Sequence, residues 1–352
     1  MSEIALQHIS KRFKDITALD DVSFAIQNGE FFVLLGPTGA GKTTTLRVIA
    51  GLERQTEGEI LFDGQSMNGV PPAERDIAFV FQQYSLYPTM SVYDNLAFPL
   101  RSPMRRTPEA EIKPRVEKAA ELLRIQHLLE RKTARLSGGE MQRVSIGRAI
   151  VRNPRIFLMD EPLSNLDAKL RESLRVELKH IQKTQTSTTL FVTHDQIEAL
   201  TMADRIGVLR EGKLIQVGTP TDIYDRPATT FVAQLVGTPR INLHKAFREN
   251  GTLHVQESTV QLPAPSGSLP SEFMLGIRPE DVQITPEGAL SGEVALVEPL
   301  GVETVIHLQA GAQTFTCVVP GIVRHRLREQ VRFDVIRERL HYFDGSGQRL
   351  TL

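Results

Sequence analysis

Apolar residues fall into short runs over the first two thirds of the chain, and stretches of helical periodicity separate these runs. The runs at 31–35, 76–82, 155–160 and 188–193 have the length and composition of buried strands. The segment 43–50 is typical of a helix that follows the first of them. Buried strands that alternate with helices predict a mostly parallel sheet. Each run ends in polar residues or a glycine-rich loop, so we expect the functional site at the carboxyl ends of the strands.

Other segments add to this α/β pattern. Alternating apolar and polar residues over 3–27 predict two strands with a turn near Asp15. Helical periodicity predicts amphipathic helices over 116–129 and 170–181. The stretch 84–153 is predicted to be mainly helical, and its prolines predict short helices and loops in its first half.

The segment 36–44 reads GPTGAGKTT and fits the phosphate-loop pattern G-x-x-x-x-G-K-[ST] between a strand and a helix. Its glycines allow backbone N–H groups to converge on phosphate oxygens, and the helix start adds partial positive charge. We expect Lys42 to contact the outer phosphates and the Thr43 hydroxyl to hold Mg²⁺. A glycine-rich turn capped by Thr is the alternative. The residues predicted to bind nucleotide here are Gly36, Pro37, Thr38, Gly39, Ala40, Gly41, Lys42, Thr43 and Thr44.

Polar side chains follow the other buried runs. Asp160 is the expected Mg²⁺ ligand, and Glu161 could take a proton from an attacking water. Gln82 could reach a metal ion or that water, and His194 could donate a hydrogen bond to a terminal phosphate. Each residue also has a structural alternative: a turn cap for the two acids, a satisfied amide for Gln82 and a core histidine for His194.

Two segments remain ambiguous from the residues alone. Ser137 and Glu140 fit a capping box at the start of a helix, but Ser137 and the two glycines after it would also form an anion site. Both interpretations stay open. Phe13, in a basic segment, could stack on a nucleobase, although a packing role is favoured before any wider comparison.

Composition excludes several classes of protein. The net charge of −1 over 352 residues does not favour a nucleic-acid binder, and we interpret the cluster Arg101, Arg105 and Arg106 as a solvated face. Cys317 is the only cysteine, so no intrachain disulfide can form, which suits a reducing compartment. No run of 18 apolar residues and no signal-peptide core is present. We therefore expect a soluble protein whose membrane role, if any, comes through a partner.

The pattern changes after about residue 237. Short alternating runs separated by turn residues predict an all-β barrel or sandwich. The predicted domains are therefore 1–237, with a helical subdomain at about 84–153, and 238–352.

Taken together, these motifs resemble those of the ATP-binding subunit of an ABC transporter. GPTGAGKTT is similar to Walker A, LSGGEMQ at 136–142 to the ABC signature, and IFLMDEP at 156–162 to Walker B with its catalytic glutamate. SNLD at 164–167 resembles the D-loop, Gln82 the Q-loop position and His194 the switch histidine. The C-terminal segments GIRPE and LGVE resemble the OB-like TOBE appendage of maltose-type importers.

The resemblance implies an α/β P-loop NTPase fold followed by an OB-like domain, with ATP and Mg²⁺ as cofactors. It also implies catalytic roles for Glu161, His194 and Gln82, Mg²⁺ ligation by Thr43, Gln82 and Asp160, and adenine stacking by Phe13, which reverses the preference stated above. The family's composite site, shared between two subunits, implies further nucleotide contacts from Ser137, Gly138, Gly139, Gln142 and Asp167.

The same resemblance implies a homodimer, two transmembrane permease subunits, a substrate-binding protein outside the membrane, and a peripheral position on its cytoplasmic face. The region 84–100 resembles the part that receives coupling helices. Leu-Gly-x-Glu at 300–303 favours sugar, polyol or conjugate import, with polyamine, iron or oxyanion import as alternatives. A soluble non-transport ABC ATPase and a P-loop kinase or GTPase fit less well, and no nucleic-acid partner is expected.

Overall fold

The computed structural model describes residues 2–103 and 107–351. It consists of two compact units, Met1–Pro220 and Thr221–Leu352. None of the helices within the described ranges combines the length and the hydropathy that a bilayer span requires.

The described residues of the first unit form ten strands and six α-helices. Its strands are β1 (Ile4–Phe13), β2 (Ile16–Ile26), β3 (Phe31–Leu35), β4 (Glu57–Phe62), β5 (Gln65–Ser66), β6 (Ile77–Val80), β7 (Ile156–Asp160), β8 (Thr188–Thr193), β9 (Arg205–Arg210) and β10 (Lys213–Gly218). Its helices are α1 (Lys42–Ala50), α2 (Val92–Ala97), α3 (Glu109–Leu122), α4 (Gly138–Ile150), α5 (Ala168–Gln185) and α6 (Gln196–Met202).

The predicted parallel sheet is confirmed. Its order is β10-β9-β3-β8-β7-β6, and only the edge pair β9–β10 is antiparallel. All residues of β3 and β8 are buried, as expected for parallel strands covered on both faces. A second, antiparallel sheet has the order β2-β1-β4-β5, and Phe24 of β2 stacks on Phe32 of β3 at 5.1 Å.

Two predicted elements end earlier than expected. The helix predicted at 116–129 is α3 at Glu109–Leu122, because Arg124 adopts a left-handed φ of 55° and reverses the chain. Ile125 and Leu128 maintain the apolar pattern because they are buried beyond the helix. Pro114 lies inside the 14-residue helix α3, whereas the sequence predicted short helices and loops around the prolines of this region. Strand β6 ends at Val80, so Gln82 lies in the following loop.

The predicted solvated basic cluster can be followed in part. Arg101 contacts Asp94 at 3.2 Å and Glu109 at 2.9 Å, so acidic neighbours balance its charge. Arg105 and Arg106 lie outside the described residues.

The second unit is mainly β, as predicted. It contains α7 (Pro220–Asp225), α8 (Thr230–Leu235), β11 (Asn242–Glu249), β12 (Thr252–Val255), β13 (Gln261–Pro263), β14 (Glu272–Ile277), β15 (Val282–Ile284), β16 (Leu290–Pro299), β17 (Glu303–Ala310), β18 (Gln313–Pro320), β19 (Gln330–Val335) and β20 (His341–Phe343). Two five-stranded antiparallel sheets, β13-β12-β11-β14-β20 and β15-β19-β16-β17-β18, enclose one core. The topology is consistent with the predicted OB-like fold.

A buried arginine explains why the second unit begins before the boundary predicted at 237. Arg278, only 2% exposed, donates hydrogen bonds to the carbonyl oxygens of Tyr224 at 2.8 Å, Ala233 at 3.1 Å and Val236 at 2.6 Å. These carbonyls belong to the last turns of α7 and α8, where a cation is favourable. The two helices therefore pack with the β-rich unit.

Candidate nucleotide site

Lys42 is a buried cation at the start of α1. Its Nζ atom donates hydrogen bonds to the carbonyl oxygens of Gly36 at 2.9 Å and Pro37 at 3.0 Å, and lies 3.4 Å from Glu161 Oε1. Only 5% of the residue is exposed. The loop therefore holds the ammonium group at the helix N-terminus, in the position expected for contact with phosphate.

Two glycines allow the loop to pass close to its neighbours. A Cβ atom on Gly36 would lie 2.3 Å from the carbonyl oxygen of Leu209, and one on Gly41 would lie 2.6 Å from that of Ala18. Gly41 also has a φ of 103°, which side-chain-bearing residues rarely adopt. Both positions require glycine.

Asp160 connects the end of β7 to helix α1. Thr43 Oγ1 donates a hydrogen bond to Asp160 Oδ1 at 2.9 Å. Burial raises the pKa of Asp160, the hydrogen bond from Thr43 opposes this effect, and nearby Glu161 adds to it. A bound cation would stabilise the charged carboxylate, and a hydroxyl beside a carboxylate is a suitable oxygen pair for Mg²⁺.

Glu161 lies between the side chains of Lys42 and His194. Its Oε1 faces Lys42 and its Oε2 lies 3.0 Å from His194 Nδ1. The residue adopts a left-handed φ of 43°, and its backbone N–H donates to the carbonyl of Val192 at 3.0 Å. Such a φ in a residue other than glycine is strained and is often found at functional sites. The hydrogen bond to Val192 thus holds the backbone of Glu161, and the contacts with Lys42 and His194 set the direction of its carboxylate.

Lys42, Thr43, Glu161 and His194 line one open cleft of about 480 Å³. Asp160 is buried directly behind this lining, where it accepts the hydrogen bond from Thr43. The predicted site residues in its lining are Thr38, Gly39, Gly41, Lys42, Thr43, Thr44, Gln82, Glu161 and His194. Gly36 and Pro37 contact the cleft through Lys42, and Ala40 is buried behind the loop. Strands distant in sequence therefore bring the predicted chemistry together at their carboxyl ends.

Sequence reasoning missed several parts of this cleft. Ile16, Thr17 and Ala18, the first residues of β2 in the β1–β2 hairpin, line it. Ser164 also lines it and donates from Oγ to the Glu161 carbonyl at 2.9 Å, while Asn165 Nδ2 donates to the Gln82 carbonyl at 3.3 Å. The polar segment 164–167 was the available signal for the last two, whereas nothing local marks the hairpin residues.

Phe13 lies at the end of β1, opposite Ile16 in the strand pairing. Its side chain is 40% exposed, and Lys11 Nζ lies 4.4 Å from the ring centroid. Phe13 is not among the residues that line the cleft, but its pairing partner Ile16 is, so the partly exposed ring belongs to the same hairpin as part of the lining. This placement is compatible with stacking and does not require it.

The signature segment lies outside the cleft lining. Ser137 caps α4: its Oγ accepts from the Glu140 N–H at 3.4 Å, and Glu140 Oε2 accepts from the Ser137 N–H at 2.7 Å. The latter hydrogen bond lowers the pKa of Glu140. The predicted capping box is therefore present. A Cβ on Gly139 would lie 2.0 Å from Leu170 Cδ2, so packing between α4 and α5 requires this glycine.

The other two residues predicted to contact nucleotide from this region have local roles. Gln142 is 1% exposed, and its Nε2 atom has no hydrogen-bond partner in the described part of the chain. Exposed Asp167 caps α5 by accepting from the Leu170 N–H at 3.0 Å. Neither residue reaches the Lys42 cleft of its own chain.

The donor set fits a magnesium–nucleotide complex. Within 2–103 and 107–351 no three His, Cys, Asp or Glu side chains form a metal cluster. Thr43, Asp160 and the Gln82 amide are instead the available oxygen ligands. Mg²⁺ commonly uses one or two carboxylates together with substrate phosphates and water. The nucleotide itself would supply the remaining ligands.

Comparison with protein families gives two matches. The ABC transporter family matches residues 19–164 and the TOBE domain family matches residues 275–343. The first match contains Walker A and Walker B, and the second lies within the β-rich unit.

Curated relatives match along nearly their full length. The trehalose/maltose import ATP-binding protein MalK of Thermococcus litoralis is 46% identical, with 98% of both chains covered. The sn-glycerol-3-phosphate import ATP-binding protein UgpC of Brucella abortus is 45% identical, with 100% of both chains covered. UgpC of Rhizobium meliloti is 46% identical over 99% of this chain and 100% of the relative.

A solved structure supports the fold of the first unit. The ATP-binding cassette MJ0796, in a dimeric post-hydrolysis state bound to ADP and Pi, is 32% identical with a TM-score of 0.57. The alignment covers 62% of this chain and 98% of that one. With its Walker motifs converging on one cleft and a TOBE domain following, this chain belongs to the family of ABC transporter ATP-binding subunits.

Proposed function

We propose that this protein is the ATP-hydrolysing motor of a binding-protein-dependent importer for a sugar, a polyol or a related conjugate. The observation that carries the catalytic part is the convergence of Lys42, Glu161 and His194 on one cleft, with Asp160 hydrogen-bonded to Thr43 of its lining. The whole-length similarity to import ATP-binding proteins supports the transport part.

Each residue has a distinct role in this proposal. When ATP binds, Lys42 exchanges its contacts with neutral carbonyls for contacts with the outer phosphates, because hydrogen bonds to a charged acceptor are stronger. Thr43, Asp160 and Gln82 would hold Mg²⁺, which would supply positive charge against the negative charge of the phosphates. Glu161 accepts the proton of the attacking water, and His194 orients the Glu161 carboxylate through the 3.0 Å contact and reaches the terminal phosphate.

The proposed active form is a head-to-tail homodimer. Ser137, Gly138 and Gly139 present a hydroxyl and backbone N–H groups at the start of α4, which favours an anion. They lie outside the cleft of their own chain, so a second copy would have to supply the phosphate. Gln142 and Asp167 would support the same interface. Solved cassettes similar to the first unit are described as dimeric and support this arrangement.

Dimer formation is tested by light scattering with ATP. Glu161→Gln should retain ATP and form a stable dimer, whereas Glu161→Gln with Ser137→Arg should remain monomeric because the new side chain clashes with the partner's γ-phosphate. Glu161→Gln with Ser137→Ala is the matched control and should still dimerise. A monomer for Glu161→Gln itself at saturating ATP would refute the dimer proposal.

The motor is proposed to act on the cytoplasmic face of the cell membrane with two permease subunits. A substrate-binding protein outside the membrane would deliver cargo to those subunits. The segment 84–100, which contains α2, is the proposed contact for the permease, and 238–352 is the proposed regulatory domain. No nucleic-acid partner is included, in keeping with the charge of −1.

The proposed cargo class follows from the relatives and the C-terminal motif. The relatives carry the names of trehalose, maltose and sn-glycerol-3-phosphate import. Polyamine, iron and oxyanion import remain alternatives for the same motor, and a non-transport ATPase is the alternative from another class.

Uptake in cells that lack this gene separates these possibilities. Labelled sugars, polyols, glycerol phosphates, polyamines, iron and sulfate should be scanned, with complementation by the wild-type chain and by Glu161→Gln as the inactive control. Loss of a sugar, polyol or glycerol phosphate that only the wild type restores would support the proposal. Loss confined to polyamine, iron or oxyanion uptake would refute the cargo, and no uptake defect with intact ATPase activity would favour a non-transport role.

A further inference from the structure

Arg171, on the first turns of α5, connects two segments that border the cleft. Its Nη2 atom donates a hydrogen bond to the Leu166 carbonyl at 3.0 Å. Its Nη1 atom lies 3.5 Å from Asp195 Oδ2, within an ion pair. Leu166 belongs to the segment 164–167, and Asp195 directly follows His194 in sequence. One planar guanidinium therefore joins these two segments.

The Leu166 side of this contact is close to the catalytic glutamate. Ser164, in the same turn, donates to the Glu161 carbonyl at 2.9 Å. Asp167 accepts from the Leu170 N–H, and its carbonyl accepts from the Arg171 N–H at 2.9 Å. The turn is thus fixed at one end by Glu161 and at the other by the helix that carries Arg171.

The Asp195 side holds the backbone around His194. Asp195 caps α6 by accepting from the N–H groups of Ile197 and Glu198, and its own N–H donates to Thr193 Oγ1 at 2.9 Å. Thr193 Oγ1 in turn donates to Glu198 Oε2 at 2.6 Å. His194 lies between Thr193 and Asp195, so movement of Asp195 would move the imidazole.

Glu198 is a third neighbour of Arg171, but it does not determine where the guanidinium lies. Its side chain is 3% exposed, and Arg171 Nε lies 4.0 Å from its Oε1 without a hydrogen bond. The guanidinium is consequently placed for Leu166 and Asp195 rather than for the best contact with Glu198. Burial raises the pKa of Glu198, so this carboxyl alone would be a weaker reason to hold an arginine there.

We infer that Arg171 is a positioning residue, which fixes the 164–167 turn and the His194–Asp195 backbone relative to each other so that His194 meets Glu161. This inference rests on the proposed ATPase function. Since the 164–167 turn also carries Asp167, which is proposed to face a second subunit, Arg171 provides a direct link between that interface and the histidine of its own cleft. A lysine cannot replace it, because one ammonium cannot keep the planar two-sided contact.

The test is a kinetic double-mutant cycle on the full-length protein with MgATP, measured in single turnovers. Arg171→Met should lower the hydrolysis rate about tenfold, as loss of alignment commonly does, with the KM for ATP changed by less than about twofold. In the His194→Ala background the same substitution should lower the rate by less than about twofold, because the group that it positions is absent.

Matched variants separate positioning from general stability. Lys183→Met removes a positive charge from the exposed last turn of the same helix and should leave rate and KM unchanged. Arg171→Lys keeps the charge and should recover part, not all, of the lost rate. Arg171→Lys also replaces Arg171→Met as the test if Arg171→Met fails to fold. We expect it to lose about threefold in rate, because lysine cannot contact Leu166 and Asp195 at once as the planar guanidinium does.

Three results would overturn the inference. These are an unchanged rate in Arg171→Lys and Arg171→Met, an equal loss with and without His194, and a loss confined to KM. Absence of ATPase activity in the wild-type chain, or wild-type activity in Glu161→Gln, would instead refute the proposed function, so the two failures are distinguishable.

Discussion

Lys42 and Arg278 are both buried cations that donate to backbone carbonyl groups, yet their surroundings give them different roles. Lys42 contacts two carbonyls of its own loop and faces an open cleft beside Glu161. Arg278 contacts three carbonyls at the ends of two helices and has the Tyr224 ring 4.0 Å from its guanidinium carbon. Burial lowers the pKa of Arg278.

The difference lies in what can replace the carbonyls. A phosphate can enter the cleft and pair with the charge of Lys42, whereas Arg278 is buried and its guanidinium lies against the Tyr224 ring. A buried cation that donates to carbonyl oxygens can therefore have a functional role where a ligand can reach it. It has a structural role where an aromatic ring and helices exclude ligands. The following substitutions test this distinction.

The largest expected effect concerns the carboxylate beside Lys42. Glu161→Gln should leave ATP binding intact and reduce turnover by roughly 10²–10⁴-fold, because a positioned base is lost. Phosphate release and nucleotide binding, measured on the same protein, check the two halves of this expectation. A wild-type rate in Glu161→Gln would remove Glu161 as the base.

Lys42→Ala should weaken ATP binding by roughly 10²-fold, since hydrogen bonds to charged groups contribute about 1.5–3 kcal/mol each. The thermal midpoint should change little, because Lys42 faces the open cleft and the space left by the shorter side chain can admit water to the carbonyls of Gly36 and Pro37. Isothermal titration with ATP, with Lys183→Ala as the charge-matched control, measures the effect. Equal affinities for Lys42→Ala and wild type would contradict the comparison.

Arg278→Met should show the opposite behaviour. Three buried carbonyls would lose their donor, and we expect the second unit to lose about 3 kcal/mol of unfolding free energy. Hydrogen exchange should increase across α7 and α8, while ATP affinity remains unchanged. Arg332→Met, an exposed arginine on β19 of the same unit, is the control. Unaltered exchange at 220–237 would show that Arg278 does not hold these helices.

The smallest effect is a pH dependence close to Arg278. Burial, reinforced by Arg278, Arg349 and Arg339, lowers the pKa of His341 from 6.5 to about 4. The unfolded chain then binds the proton more readily, so this group's contribution is complete above pH 6.5 and is lost as the pH falls towards 4. Between pH 7 and pH 5 we expect about 2 kcal/mol of lost stability from this residue.

Chemical denaturation of wild type and His341→Gln at pH 7 and pH 5 gives the unfolding free energy that each protein loses between these pH values. The contribution of His341 is the difference between the two losses. Other titrating groups are common to both proteins and cancel in this comparison. Equal losses of unfolding free energy in the two proteins would show that His341 is not held neutral by its surroundings.

The sequence predicted the features that depend on short segments. The phosphate loop, the strand ends at Asp160 and His194, and the capping box at Ser137 follow from adjacent residues, and the structure shows the strands and the cap where expected. The all-β character of the second unit was also predicted, because alternation and turns are local signals.

Features that depend on distant contacts could not be obtained in this way. Among the strands that were not individually predicted, β11 and β20 both pair with β14, and this pairing gives them their structure more than their own pattern does. The contact of Arg171 with Asp195 joins residues 24 positions apart. Arg278 determines the extent of the second unit through residues more than 40 positions away, and no local pattern reports such a contact.

The close approach of Gly36 to Leu209 and of Gly41 to Ala18 has a consequence for the rate of nucleotide binding. The phosphate loop packs closely against β9 and the β1–β2 hairpin, so folding has already restricted the conformations of the loop. ATP therefore binds to a preorganised loop, and ordering the loop costs little free energy on binding. Association should therefore be limited by diffusion into the open cleft, and the slower motions of the catalytic cycle belong to the segments around it.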